Sequence, residues 1–283
     1  MTKEIQAIQK PHFQKRDEDS HKGSFGTALL VCGSYGMAGA AILATSACLK
    51  SGVGIARVAL HKKIYPILTT ALPEAVCLPF NSFNLKKTLK KGIARTNSIL
   101  IGCGMGKARL SKRALSFLIK NAACPLIIDA DGINLLSGRI DILKQAKTPI
   151  ILTPHPAEFS RLTGFSLEKI NANRETCALS FAKQNGVYLV LKGHNTLVVS
   201  PNGDILKNTT GNPGMATGGS GDALAGIIAA LIARDQNVFE AISNAVYIHG
   251  LAGDMAAKRL SETAMLPSDL IEELPCIYKM FEG

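Results

Sequence analysis

The chain contains no Trp, and aromatic residues make up only 5% of its 283 positions. Proteins that bind single-stranded nucleic acid stack bases on aromatic side chains, so this shortage argues against such a surface. Its seven cysteines, Cys32, Cys48, Cys77, Cys103, Cys124, Cys177 and Cys276, are scattered and never spaced as CxxC. That excludes a structural zinc knuckle and a disulfide framework, and it fits a reducing, cytoplasmic setting. The polar amino-terminal residues 1–23 lack the apolar core of a signal peptide. Residues 27–49 carry no charge and are long enough to cross a bilayer, but Gly33, Ser34, Gly36 and Gly39 interrupt them. A strand, a Gly-rich loop and a helix account for the segment better, and no membrane partner is expected.

What is present is a folded composition: 47% apolar and 19% charged residues, with 26 glycines for tight turns. Lys and Arg outnumber Asp and Glu by 32 to 21, a net charge of +11. Such a balance attracts phosphate. The pairs Lys62–Lys63, Lys86–Lys87 and Lys90–Lys91 accompany no nucleic-acid motif. A cationic pocket for phosphorylated small molecules is therefore expected rather than nucleic-acid binding.

Short apolar runs at 28–31, 55–60, 98–101, 126–129, 150–152 and 187–191 read as strands buried on both faces. Helical stretches at 38–50, 110–121 and 167–184 separate some of them. The alternation predicts an α/β fold with a mainly parallel sheet covered by helices on both faces. Residues 196–206 read as a hairpin around Pro201–Asp204, followed by helices over 219–234 and 238–258. No linker divides the chain. It reads as one domain over 1–283, with 1–21 a looser lead-in.

Ligands in such sheets bind beyond the carboxyl ends of the strands, so the residues after each run matter most. Cys32–Ala41 is Gly-rich, suiting either a close ligand approach or a tight turn. Gly102-Cys103-Gly104-Met105-Gly106-Lys107 misses the dinucleotide pattern by one position, which rejects a standard NAD-binding half. His155, between Pro154 and Pro156, could bond a ligand or a nearby carbonyl; Glu158 reads as a first-turn residue favoured by the helix dipole. Lys192 could hold phosphate or be a solvated strand end. Five glycines within 211–221 run into a helix start, an anion cradle with no Walker lysine. A carboxylate there, Asp222, suits a general base or metal ligand facing the phosphate, or a helix cap. His249 and Asp254 read as packing residues of a later helix.

The stretches GSFGTALLVCGSYGMAGAAILATSACLKSGVG, IGCGMG, TPHPAEFSRLTG, VLKGHN, GNPGMATGGSGDALAGIIAALIA and YIHGLAGDMAA occur in this order. Together they resemble the ADP-dependent (S)-NAD(P)H-hydrate dehydratases, members of the ribokinase-like superfamily. The resemblance implies a hydro-lyase that restores NADH or NADPH from its hydrate, with ADP as co-substrate, Mg²⁺ as cofactor, and AMP and phosphate as products. The length suggests the dehydratase without its epimerase partner domain, and the resemblance implies a homotetramer. Ala40, Gly104 and His155 match hydrate-binding positions. Lys192, Gly193, His194, Asn195, Thr196 and Gly221 match AMP-binding positions, and Asp222 matches the position contacting the hydrate hydroxyl. Ser220 stands where Thr is usual in GGTGD, and Cys103 where Pro is usual in GPGLG. The runner-up is a small-molecule kinase of the hydroxyethylthiazole or hydroxymethylpyrimidine type. A nucleotide-binding regulator without activity is a third reading.

Overall fold

A computed structural model describes residues 5–234 and 237–282. Its strands are β1 (Gln6–Ala7), β2 (Thr27–Val31), β3 (Ile55–His61), β4 (Val76–Phe80), β5 (Ser98–Ile101), β6 (Leu126–Ile128), β7 (Ile150–Leu152), β8 (Tyr188–Leu191), β9 (Leu197–Val199) and β10 (Ile205–Lys207). Its helices are α1 (Ala38–Lys50), α2 (Tyr65–Ala71), α3 (Leu85–Ile93), α4 (Arg109–Asn121), α5 (Asp131–Asn134) and α6 (Pro156–Thr163). The series continues with α7 (Leu167–Ala172), α8 (Arg174–Asn185), α9 (Ser220–Arg234), α10 (Val238–Leu260) and α11 (Pro267–Phe281).

The strands form one sheet in the order β1-β10-β9-β8-β7-β6-β5-β2-β3-β4. Every pairing is parallel except those made by β9, which is antiparallel to β8 and β10. The predicted α/β class and mainly parallel sheet therefore hold. Alternate side chains enter opposite cores: Ala28 and Leu30 join α1, α9, α10 and α11 on one face. Leu29 and Val31 join α3, α4, α6 and α8 on the other. That period of two, on strands with both faces covered, explains their unbroken apolar sequence.

The expected hairpin forms as β9 and β10, with Ser200 donating to Asp204 Oδ2 at 2.8 Å inside its turn. The helix expected over 167–184 is broken at Asn173, whose φ of −137° is not helical, giving α7 and α8. The run expected over 126–129 pairs only to Ile128, leaving Asp129 beyond the strand end. The described part of the lead-in is pinned at both ends: β1 pairs with β10, and Phe13 bridges Glu282. On α3, Leu85 and Leu89 are buried while Lys86, Lys87, Lys90 and Lys91 face solvent. These two lysine pairs are thus the wet side of an amphipathic helix.

Candidate active site

The chain leaves β2 toward β3 but leaves β5 toward β6, on the other side of β2. Loops diverging in this way open a crevice at the carboxyl edge. Ser34 Oγ donates to the Gly104 carbonyl at 2.9 Å, and the Gly33 N–H donates to the Cys103 carbonyl at 2.8 Å. The two Gly-rich turns are thereby tied together across the crevice. Ala40, in the first turn of α1, lies against Gly104, where an added Cβ would stand 2.6 Å from the Ala40 Cβ. Gly104 also has φ +59°, so a side chain there is strained as well as crowded. Small residues at 40 and 104 let the loop after β5 pack closely against the start of α1.

His155 caps α6. Its Nδ1 accepts from the Ala157 and Glu158 N–H groups at 3.1 and 3.3 Å, and Glu158 Oε2 accepts from the His155 N–H at 2.9 Å. The expected bond to a neighbouring carbonyl is replaced by this reciprocal cap. With Nδ1 an acceptor, the proton sits on Nε2, 3.5 Å from Glu158 Oε1, on a side chain that is 46% exposed. Burial pushes the imidazole below its ordinary pKa, although Glu158 pulls the other way. A neutral ring therefore offers an Nε2–H donor to a ligand oxygen.

Lys192 is no solvated strand end. Its Nζ lies 2.9 Å from Asp129 Oδ1, with the side chain only 17% exposed. Burial alone would lower its pKa, but the Asp129 and Glu158 carboxylates prevail and raise it. The following turn is held by Thr196 Oγ1 donating to the Gly193 carbonyl at 2.9 Å. Arg174, first residue of α8, donates to the Leu191 and Lys192 carbonyls at 3.2 and 3.3 Å. Asn195 takes φ +56°, and His194 is exposed. Across from this turn, a Cβ at Gly221 would come 3.1 Å from Lys192 Nζ, so the absent side chain leaves the ammonium its place.

The Gly-rich loop before α9 is anchored by the two residues expected only to pack. Asp254 accepts from the Gly211 N–H at 2.9 Å and from Asn212 Nδ2 at 3.0 Å. His249 Nε2 lies 2.9 Å from the Ser220 carbonyl, and burial pushes this imidazole down to about 4. Both residues of α10 thus hold the loop and the first turn of α9 through polar contacts.

Asp222 is the third residue of α9, inside the first turn rather than at the cap. The helix dipole favours an ionised carboxylate near neutral pH, and burial works against it. Burial first, then the Asp129 charge, raise Asp222 to about 6, against the opposing Cys103 thiol and Lys192 ammonium. A carboxylate so tuned is still mostly ionised at neutral pH and is a better proton acceptor than an ordinary one.

The structure thus brings Lys192, Gly221 and Asp222 together, and sets Ala40 and Gly104 beside Cys103, whose sulfur lies within 4.8 Å of an Asp222 carboxylate oxygen. Asp129, Thr153, Cys103 and Arg174 were not legible as site residues. Asp129 did carry a signal, a carboxylate closing an apolar run at the ligand edge. Thr153 Oγ1 donates to Asp129 Oδ1 at 2.6 Å, and Cys103 Sγ donates to Asp129 Oδ2 at 3.6 Å. Ligating atoms of Cys103, Asp129 and Asp222 lie within 4.8 Å of one another. They do not fit Mg²⁺, which takes oxygen ligands in octahedral array. One of the three is a thiol, and Lys192 already pairs with Asp129. A cavity of about 680 Å³ opens elsewhere, lined by Phe13, Arg16, Phe25 and Arg234 near the amino end of β2.

A sequence profile described as NAD(P)H-hydrate dehydratase matches residues 28–276. The chain belongs to this family. It is 37% identical over 281 residues to the ADP-dependent (S)-NAD(P)H-hydrate dehydratase of Staphylococcus aureus, covering 99% of this chain and 98% of that one. It spans about half the length of the bifunctional NAD(P)H-hydrate repair enzymes that it also matches. Among solved structures, the ADP/ATP-dependent NAD(P)H-hydrate dehydratase of Bacillus subtilis, co-crystallised with ATP and Mg²⁺, superposes with a TM-score of 0.86. It is 34% identical, with 96% of this chain and 95% of that chain covered. A ribokinase-like superfamily protein from Enterococcus faecalis gives 0.83 at 33% identity, covering 96% and 93%. The chain therefore has the ribokinase-like fold.

Proposed function

We propose that the chain removes water from the S-epimer of hydrated NADH or NADPH at the expense of ADP. The observation that carries this reading is the place of the Asp222 carboxylate, directly after Gly221, whose missing side chain leaves room for the Lys192 ammonium, and within 4.8 Å of the sulfur of Cys103, the neighbour of Gly104. In this reading Asp222 accepts the proton of the hydrate hydroxyl as that oxygen attacks the terminal phosphorus of ADP. The bond from that phosphorus to the bridging oxygen breaks, and AMP leaves with the electron pair. The phosphorylated carbon then loses phosphate and its neighbour loses a proton, which restores the ring double bond. Lys192 and the free N–H groups at the start of α9 balance the charge of the transferring phosphoryl group. Ala40 and Gly104 give the hydrated ring a floor without side chains, and the His155 Nε2–H donates to a polar group of the hydrate. The Gly193–Thr196 turn carries the adenosine side.

Mg²⁺ belongs to this proposal as the counter-ion that ADP brings, since that ion binds phosphates while keeping much of its water. The cytoplasmic setting and the homotetramer belong to it as well. No helix among the described residues is long and apolar enough to cross a membrane. Hydrated NADH should be consumed when ADP is supplied and persist when nucleotide is omitted. Equal consumption in both cases would end the reading.

A further inference from the structure

We propose that Asp129 is a positioning residue for this reaction, its buried carboxylate holding the Lys192 ammonium toward the nucleotide side while facing the Asp222 carboxylate across the Cys103 thiol. The inference rests on Asp222 being the base.

Asp129 is 1% exposed, and a charge so buried survives only if it is paired and hydrogen-bonded. Three donors from three strand ends meet it: Lys192 Nζ at 2.9 Å after β8, Thr153 Oγ1 at 2.6 Å after β7, and Cys103 Sγ at 3.6 Å after β5. Its backbone is fixed as well, its N–H donating to the Ile101 carbonyl at 3.0 Å and its carbonyl accepting from the Gly132 N–H at 2.8 Å. The carboxylate is thus the common acceptor of the carboxyl edge, and it does two jobs by position alone. It draws the Lys192 side chain inward, to where Gly221 leaves room for the ammonium. It also sets a fixed negative charge beside Asp222.

The groups facing Asp222 are Cys103 after β5, Asp129 and Asp131 after β6, and Lys192 after β8. Asp131 is itself committed, accepting from the Gly106 N–H at 2.8 Å. After burial, the Asp129 charge is the largest influence, and it favours the protonated form of Asp222. The thiol works in the opposite sense. Cys32 first and burial second raise the Cys103 pKa, so the sulfur stays protonated, and its presence beside Asp222 favours the ionised form there. Removing Asp129 should therefore make Asp222 more acidic, and removing the thiol should make it less so. An Asp129 that only supported the fold would leave the titration of Asp222 where it is.

The test uses the full chain with Asp129→Asn and Cys103→Ala, recording kcat/KM for hydrated NADH against pH and ADP affinity by calorimetry. The unmodified protein should lose activity on acidification through about pH 6. In Asp129→Asn that limb should move down by about one unit, the size of a single close like charge. Its ADP affinity should fall roughly tenfold or more as Lys192 loses its anchor. In Cys103→Ala the limb should move up. If Asp129→Asn does not fold, Asp129→Glu, which keeps the charge but displaces it from Lys192, is used in its place; an ADP affinity left unchanged there overturns the proposal. So does a limb that both substitutions leave in place or move the same way. An unmodified protein without an acid limb would instead overturn the base reading, and this inference with it.

Discussion

Replacing Asp222 by Asn should separate catalysis from stability in an unusual direction. Asn is nearly isosteric but cannot accept the proton, and loss of a general base costs about 10²–10⁴ in rate. The folded-state pKa of about 6 lies above the ordinary 3.8, so the ionised carboxylate works against the fold at every pH above about 6. This penalty fades as pH falls toward 3.8 and is absent below it. The shift of about two units, at about 1.4 kcal/mol per unit, sets an upper bound of roughly 3 kcal/mol. Asp222→Asn should therefore melt higher than the unmodified protein at pH 7.5, by up to several degrees, and the gain should vanish near pH 3.5. Its ADP affinity should hold or rise, since a negative charge beside the phosphates is gone. Turnover, melting temperature at both pH values and ADP affinity are measured on one preparation. Near-normal turnover would refute the base assignment. A lower melting temperature at pH 7.5 would refute the burial argument even if activity were lost.

Other outcomes follow from the same contacts. Lys192→Ala should weaken ADP binding roughly tenfold or more, as expected for a charged hydrogen bond of about 1.5–3 kcal/mol, and calorimetry checks it. Gly104→Ala, which would bring a Cβ to 2.6 Å from Ala40 at φ +59°, should raise KM for the hydrate far more than KM for ADP in steady-state kinetics. His249 has a folded pKa of about 4 against 6.5 unfolded, so the unfolded chain binds its proton first. Stability should decline as pH falls from 6.5 toward 4, by up to about 3 kcal/mol. In urea melts at pH 7.5 and 4.5, His249→Gln should lose less stability between the two pH values than the unmodified protein.

The sheet was legible because strands covered on both faces leave long apolar runs, and the order of those runs already marked the ligand edge. The short edge strand β4, Val76–Phe80, was not, since it is only partly buried and carries Pro79. The start of α6 was legible in Glu158, a first-turn residue, whereas its unusual cap, His155, was not. Within the site, the Gly-rich approach to Asp222 stood out in one stretch of sequence. Asp129 did not, because its meaning lies in Lys192, Thr153 and Cys103, which come from three other strand ends. For the same reason the upward shift of the Asp222 pKa was not legible. The helix dipole can be read from its place at a helix start, whereas burial and a neighbouring carboxylate distant in sequence cannot. His249 and Asp254 were misread alike, since the loop they anchor is distant in sequence.

The central claim is that phosphoryl transfer from ADP serves to expel water from a damaged nicotinamide ring. The protein is incubated with hydrated NADH, ADP and Mg²⁺ while the absorbance of reduced nicotinamide, AMP and inorganic phosphate are followed together. Absorbance should return, with AMP and phosphate released in equal amounts to the ring restored. A stable phosphorylated product with no return of absorbance would make the protein a kinase and contradict it.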